Sequence, residues 1–331
     1  MNLTSIPVTP FAEGYIRVAS TTEPGTGRTK FDGSIEVLAR HHDLQKIDAF
    51  GEPRLANHEV TKVLVEHHDA NRAAGKIVEV PIRMFFDKPA NAITARYVAY
   101  DANGVPVCRG NGCDAKRTSS TEVGQQSTDV PCAGNDLCAF ANAGDVSCRR
   151  QISMPVTLGD KHANPLSVFE VRTSSYHAYK ALRGQLELIA HRYGGLRHVP
   201  LKLQLWKSSN QASEYGTFDM FKLNLDASSE LAAMKARKQA CTEEQELGMG
   251  GAPDSMFEQF SQDQLLDGEV ADFEVVKDFY QPVAPEGGRR PAARSVVAEI
   301  LAKAGGAQVS AKDVISQAVK SAPRKAAAQN E

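Results

Sequence analysis

Five of the six cysteines of this 331-residue chain lie in one window of 41 residues, from Cys108 to Cys148. Gly, Asn, Asp, Ser and Thr dominate the window, so neither a helix nor a strand explains how it stays folded. A segment of this kind usually owes its structure to disulfides or to a metal. The N-terminal sequence MNLTSIPVTPF lacks the basic and apolar regions of a signal peptide. We therefore expect a reducing, intracellular setting, in which thiolates bind zinc rather than form disulfides.

The choice of ligands follows from spacing, because zinc takes four ligands and the window holds five cysteines. Cys132, Cys138 and Cys148 have the spacing C-x5-C-x9-C and stand beside turn-forming residues. Cys108 is the preferred fourth ligand, since it ends an apolar run and precedes a tight turn. Cys113 is the alternate. Four thiolates leave no coordination position for water, so the predicted zinc site is structural and not catalytic.

An interpretation of the cluster without metal stays open, because clustered thiols can also be buried as ordinary side chains. Cys241 lies far from the window on a predicted helix and is expected to be an ordinary thiol.

The charge distribution is uneven, although the net charge is only -2. Residues 241–280 carry eleven acidic side chains against one basic, and residues 281–331 carry eight basic against four acidic. An acidic segment beside a basic tail indicates interaction surfaces rather than an enzyme core. No run of 18 apolar residues occurs, so we expect no membrane span.

The pattern of apolar residues predicts an α+β fold, with a β-rich body, an inserted zinc knuckle, a strand-helix-strand unit and a helical, partly disordered C-terminal tail. Predicted strands are Tyr15–Val18, Ile35–Leu38, Ile77–Phe86, Ile93–Tyr100, Gln151–Leu158, Val168–Arg172, Leu201–Trp206 and Phe218–Leu225. Predicted helices are 176–193, capped by Ser174 or Ser175, then 228–247, 255–266, 292–303 and 311–321.

Two details of this prediction concern the middle of the body. The strands 77–86 and 93–100 are expected to pair with each other across residues 87–91. Pro81 indicates that the first of them lies at a sheet edge or carries a bulge.

Composition shifts divide the chain into three predicted regions. They are a main α+β domain over 1–247, with its knuckle at 106–150, an acidic helical linker region over 248–288, and a basic, helical to disordered tail over 289–331.

Several short motifs follow one another in a distinctive order between residues 11 and 207. They are GYIRV at 14–18, GTGR at 25–28, VCRGNG at 107–112, the cysteines at 132, 138 and 148, FEVRTSSY at 169–176 and VPLKL at 199–203. In this order they resemble the recombination directionality factors of phages and integrative elements that use large serine integrases. Cys113 departs from that family's pattern, so the choice between Cys108 and Cys113 stays open.

The resemblance implies a regulatory binding protein and not an enzyme. Such factors bind a large serine integrase on its attachment-site DNA and redirect its coiled-coil arms, so that excision replaces integration. The location implied is the cytoplasm of the bacterial host. A coupling free energy of about a few kcal/mol suffices for such a switch.

A zinc-containing, nucleic-acid-binding accessory protein of phage DNA metabolism is the main alternative. The pairs Lys116–Arg117 and Arg149–Arg150 and the basic tail would then make at least a weak direct contact with phosphates. A metallohydrolase is less well supported. The pairs His41–His42 and His67–His68 lack the surrounding motif of a metal or deaminase site, so we expect solvated histidines.

Overall fold

Twelve strands of the chain form one mixed sheet. A computed structural model describes residues 12–22, 29–47, 53–101, 106–121, 124–143, 146–159, 164, 166–209, 217–249, 251 and 254–258. The strands are β1 Ala12–Thr22, β2 Thr29–Ile47, β3 Pro53–Asn57, β4 Glu79–Met84, β5 Thr94–Tyr100, β6 Pro106–Gly110, β7 Asp114–Thr121, β8 Gly124–Pro131, β9 Ser147–Leu158, β10 Val168–Thr173, β11 Leu201–Ser209 and β12 Thr217–Leu225.

Seven helices accompany the sheet within the described residues. They are α1 Val60–His67, α2 Asp69–Ala74, α3 Pro89–Ala92, α4 Gly134–Leu137, α5 Tyr176–Tyr193, α6 Glu230–Glu246 and α7 Asp254–Glu258, with a 3-10 turn at Ala141–Ala143. None of them is long and apolar enough to cross a membrane.

The sheet is organised around the long strand β9. The main strand order is β3-β2-β1-β10-β9-β5-β6-β7-β8. One edge of β9 pairs with β10, while the other pairs first with β5 and then with β4. β4 continues to β11, which pairs with β12. The β1–β10 pair is parallel and the other pairs of described strands are antiparallel, so β6, β7 and β8 form one end of the sheet.

The core lies where α5 packs against the apolar face of the sheet. Leu182 and Leu186 of α5 are buried, as are Ile152 and Val171 of the central strands. α5 begins where predicted, because the Ser175 side chain accepts a hydrogen bond from the Ala178 backbone N–H at 3.3 Å. It ends at Gly194, whose left-handed conformation is unstrained for glycine. The described part of the chain is therefore β-rich with packed helices, in agreement with the predicted α+β class.

The predicted pairing of residues 77–86 with 93–100 is wrong. β4 pairs with β11 and β9, while β5 pairs with β9 and β6. The connection between β4 and β5 contains α3 instead of a hairpin turn, and Pro89 occupies its first turn, where a missing N–H is tolerated.

Pro81 does not mark an edge strand, since β4 has a neighbour on both sides. The Pro81 carbonyl accepts a hydrogen bond from the Gly159 N–H at 2.8 Å. This contact lies just beyond the last β4–β9 pair, Ile82–Leu158. The missing N–H of Pro81 therefore falls where that ladder has ended.

The cysteine window contains more regular structure than its composition indicates. β7 and β8 form a hairpin whose pairs run from Asp114–Pro131 to Thr121–Gly124. Its Ser and Thr side chains suit a half-exposed strand, although the apolar alternation that predicts strands is missing. The GTGR motif at 25–28, the part of the predicted acidic linker region beyond Glu258 and the predicted tail over 289–331 lie outside the described residues.

Candidate functional site

The candidate site is a small cavity on the face of the sheet that carries Ala99. Ala99 of β5 pairs with Cys108 of β6 on one side and with Cys148 of β9 on the other. Side chains directly opposite each other in a ladder point to the same face. The two thiols therefore flank the small methyl group of Ala99.

Turns after β8 bring two further cysteines to this place. Cys132 follows β8, and its backbone N–H donates to the Cys113 carbonyl at 2.7 Å. Cys138 ends α4, where its N–H donates to the Gly134 carbonyl at 3.1 Å. Gly134 has a φ of 74°, a conformation that favours glycine at this turn.

The four thiols line one cavity of about 20 Å³. This volume accepts one water-sized particle and excludes an organic ligand. The cavity lining comprises Cys108, Cys132, Cys138 and Cys148 with Tyr97, Ala99, Gly110, Ala115, Arg117, Pro131, Gly134, Phe140 and Ala141.

Gly110 makes room for one of these thiols. A Cβ atom at this position would lie 2.6 Å from Cys132 Sγ and 2.9 Å from Ala115 Cβ. Real Cβ atoms essentially never approach another heavy atom so closely. The packing of Cys132 thus depends on glycine in β6.

The pKa of two of the four thiols is raised, which favours their neutral form. Burial raises the pKa of Cys148 to about 12, and the neighbouring Cys108, Cys132 and Cys138 add to the effect. Burial also raises the pKa of Cys108, while a hydrogen bond from the Arg117 side chain opposes that shift. A bound cation would favour deprotonation of Cys108 and Cys148.

The donor set suits zinc, which prefers thiolate sulfur at about 2.3 Å. No three Cys, His, Asp or Glu side chains of the described residues form a group that could hold a metal ion as they stand. The four thiols share a cavity, but their side chains are not in the closer arrangement that coordination requires. The residue types therefore fit zinc, but the four sulfur atoms would have to move closer together to bind one ion.

The other two cysteines lie away from the cavity lining. Cys113 is exposed in the short connection between β6 and β7. Cys241 belongs to α6. Ala99, Gly110 and Arg117 were not predicted as neighbours of the thiols, because they meet the thiols through strand register, which a sequence does not reveal. The glycine in the Arg-Gly-Asn-Gly run was the signal that could have pointed to Gly110.

The predicted basic pairs divide between different environments. The Arg117 guanidinium lies 3.9 Å from the Phe140 ring centroid, beside the cavity. The Arg150 guanidinium lies 5.5 Å from the centroid of the Tyr176 ring. Neighbouring residues of a strand point to opposite faces, so Lys116 and Arg149 lie on the other side of the sheet.

The two histidine pairs and Arg172 lie outside the lining of the cysteine cavity. His41 and His67 are exposed, as expected for solvated histidines, whereas His42 and His68 are half-buried. Arg172, which belongs to the FEVRTSSY motif, is 5% exposed. Its guanidinium lies 3.4 Å from the Tyr15 ring centroid and donates to Glu170 at 2.8 Å. It therefore links β10 to β1 within the protein.

Comparison with known proteins identifies a family. The model of the Gp3-like family, described as recombination directionality factor-like, matches residues 33–226. No curated protein and no solved structure matches the chain. The matched residues run from within β2 to just past β12 and include all four cysteines of the cavity. Because this match spans more than half of the 331 residues, the chain belongs to the Gp3-like family of recombination directionality factor-like proteins.

Proposed function

We propose that this protein is a recombination directionality factor that binds a large serine integrase and switches it from integration to excision of a phage or integrative element. The observation that carries the proposal is the family match over residues 33–226. That match covers nearly all of the described sheet, so the resemblance concerns the body of the protein and not an isolated motif.

The proposed role is regulatory and not enzymatic. Control of direction requires only that the protein bind one arrangement of the integrase–DNA complex better than the other. A difference of about 5.5 kcal/mol in binding free energy moves a two-state equilibrium from 1:99 to 99:1. Such a difference is within the reach of an ordinary protein interface, so no nucleophile or acid–base pair is needed.

We propose further that Cys108, Cys132, Cys138 and Cys148 hold a structural zinc ion, with Cys113 as the alternate to Cys108. Their convergence on one cavity supports this ligand set. Four thiolates would complete a tetrahedral site and leave no place for a reactive water. When bound, the metal would tie β6, β9 and the turns after β8 together.

An in vitro recombination assay tests the proposed function. The purified protein is added to the serine integrase encoded in the same element, with either the original or the hybrid attachment sites as DNA substrates. We expect hybrid sites to recombine only when the protein is present, and recombination of the original sites to fall. Unchanged recombination in both directions would contradict the proposal.

Direct nucleic-acid binding is a second candidate, favoured by one feature of the sheet. Val98 of β5 pairs with Arg149 on one side and with Arg109 on the other, and Arg109 in turn pairs with Lys116. Three cationic side chains therefore project from one face across four adjacent strands. DNA affinity of the isolated protein that falls steeply with salt would support this candidate, since phosphate contacts release counterions.

A further inference from the structure

The short helix α7 returns to the body after the region matched by the family model. Its first residue, Asp254, is 5% exposed. The Asp254 carboxylate accepts hydrogen bonds from the backbone N–H groups of Asp87 at 2.8 Å and Lys88 at 3.0 Å. The Asn91 side-chain amide donates to the same carboxylate at 2.7 Å. A buried carboxylate is thus satisfied by three donors from the segment between β4 and β5.

Two more residues of α7 contact the same segment. The Glu258 carboxylate pairs with Lys88 Nζ at 2.8 Å and accepts from Asn91 Nδ2 at 3.0 Å. The Phe257 ring lies 5.0 Å from the ring of the buried Phe86, centroid to centroid. Positions i and i+4 of a helix share one face, so the two acidic side chains flank the aromatic ring.

The receiving surface is held in place by the body. We call Phe86, Asp87, Lys88 and Asn91 the latch cleft, and residues 254–258 the latch segment. The Asp87 carboxylate accepts from the backbone N–H of Arg197 at 2.9 Å. The Arg183 guanidinium of α5 donates to the Pro89 carbonyl at 3.0 Å, which ties the cleft to the main helix.

We propose that the latch cleft is a docking site for a short acidic–aromatic peptide of the pattern Asp-x-x-Phe-Glu, and that the latch segment is its resident ligand in this chain. The cleft recognises each part of the pattern separately. Backbone N–H groups and an amide bind the first carboxylate, Phe86 contacts the aromatic ring, and Lys88 binds the second carboxylate. A partner that presents the same pattern would compete for the cleft and release the segment.

Tethering sets the affinity that this docking requires. A segment joined by a short linker meets its own cleft at an effective concentration in the millimolar range. The docked form predominates only if the same peptide, supplied as a separate molecule, binds with a dissociation constant below about 1 mM.

Hydrogen–deuterium exchange of the full-length protein gives the first test. We expect Asp254→Ala and Phe257→Ala to raise exchange at residues 86–91, because the Asp87 and Lys88 amides lose their acceptor. Glu246→Ala is the matched control, an exposed acidic residue at the end of α6. Unchanged exchange at residues 86–91 in both latch variants would overturn the docked arrangement.

Binding in trans gives the second test and separates recognition from a merely structural contact. The probe is a fluorescein-labelled peptide of residues 251–262, measured by anisotropy against full-length protein. We expect binding below about 1 mM to the double variant Asp254→Ala/Phe257→Ala, and binding weaker by about tenfold or more to the wild type, whose cleft is occupied. A peptide with Asn and Gln in place of the two acidic residues should not bind. Equal binding to both proteins, or none to the double variant, would overturn the proposal.

Discussion

Gly110 is the residue whose packing bears most directly on the cysteine cavity. A methyl group there would stand 2.6 Å from Cys132 Sγ and 2.9 Å from Ala115 Cβ, and Ala115 is itself buried. Neither neighbour is a long flexible side chain that could move aside. We expect Gly110→Ala to lower the free energy of unfolding by about 1–3 kcal/mol, the usual cost of an overpacked site. Urea denaturation measures the change.

Gly184 provides a control with the opposite expected sign. It lies on the exposed side of α5, where an added Cβ meets no heavy atom within 4 Å. Alanine reduces the conformational entropy of the unfolded chain, so Gly184→Ala should stabilise the protein by about 0.5–1 kcal/mol. Equal effects of the two substitutions would mean that Gly110 does not make room for Cys132.

Alanine substitutions of individual cysteines test whether the cavity holds zinc. The purified wild type should contain one zinc ion per chain by plasma mass spectrometry. Cys132→Ala should lose it and unfold the region around the cavity, because structural zinc binding contributes about 10 kcal/mol or more in small zinc domains. Cys113→Ala and Cys241→Ala should retain the metal, since neither lines the cavity. Full zinc content and an unchanged melting temperature in Cys132→Ala would defeat the assignment.

Asn71 joins three elements through one side chain. It is fully buried, and its amide donates to the carbonyls of Leu64 at 3.0 Å and Glu79 at 2.9 Å. Its side-chain oxygen accepts from the N–H groups of Val78 at 2.8 Å and Glu79 at 3.0 Å. The end of α1, the helix α2 and the start of β4 are therefore connected at this point.

Asn71→Asp is the sharpest change at this junction. The aspartate has nearly the same shape but offers no donors, so two buried carbonyls lose their partners. Each unsatisfied buried group costs about 1–3 kcal/mol, so we expect a loss of about 3 kcal/mol or more in the free energy of unfolding. Asn57→Asp, at an exposed residue at the end of β3, should change it by less than about 0.5 kcal/mol. Similar urea midpoints for both variants would contradict this account.

Docking of the latch segment should depend on pH. Hydrogen bonds from Lys88 and then from Asn91 hold the pKa of Glu258 below its ordinary value of 4.5. A lowered pKa in the docked state means that docking favours the ionised carboxylate. The contribution of Glu258 is therefore complete above pH 4.5 and is lost as the pH falls through the lower, docked value.

Exchange at residues 86–91, measured as the pH is lowered from 7 to about 3, tests this expectation after correction for the intrinsic rate. The protection should decrease below about pH 4.5. In Glu258→Gln, the part of the response that comes from this residue should disappear, because glutamine does not titrate. Lys88 and Asp254 also face this carboxylate, so only the difference between the wild type and Glu258→Gln is assigned to Glu258.

The elements that sequence reasoning predicted correctly are those with local signals. Helix α5 shows apolar residues at helical spacing, a serine cap and a terminal glycine, and β10 and β11 show short apolar alternation. The pairing of β4 and β5 was wrong because partners in this sheet are distant in the chain, as in the β4–β11 pair. The β7–β8 hairpin was missed because hydrogen bonding and edge position, rather than apolar burial, account for its strands.

The same distinction applies to the site. Cysteine spacing selected Cys132, Cys138 and Cys148, and the apolar run before Cys108 favoured it over Cys113; these four residues line one cavity. The surrounding residues could not be predicted in this way, because Ala99 meets Cys108 and Cys148 only through the register of three strands. The latch segment was predicted as part of an acidic helix, but its contact with Asn91 spans 163 residues of sequence. No local pattern carries that information.

At the scale of the whole molecule, the sheet divides into a well-buried part and a peripheral part. Buried apolar residues fill β4, β9, β10 and β11 around α5. In β7, Ala115 is the buried apolar residue among those described, and the described side chains of β8 include none. The hairpin reaches the rest of the sheet through β6 and β5. Elements with few buried contacts open locally before the molecule unfolds as a whole.

We therefore expect two levels of protection in native-state hydrogen exchange. Amides of β7 and β8 should exchange through local opening. Amides of β9, β10 and α5 should exchange with an opening free energy close to that of global unfolding. If the cysteines hold zinc, a chelator should raise exchange in β6, β7 and β8 and leave β10 and α5 nearly unchanged, because the metal contributes to only one end of the sheet. Equal acceleration throughout the molecule would show instead that the sheet unfolds as a single unit and that the hairpin is not a separate subdomain.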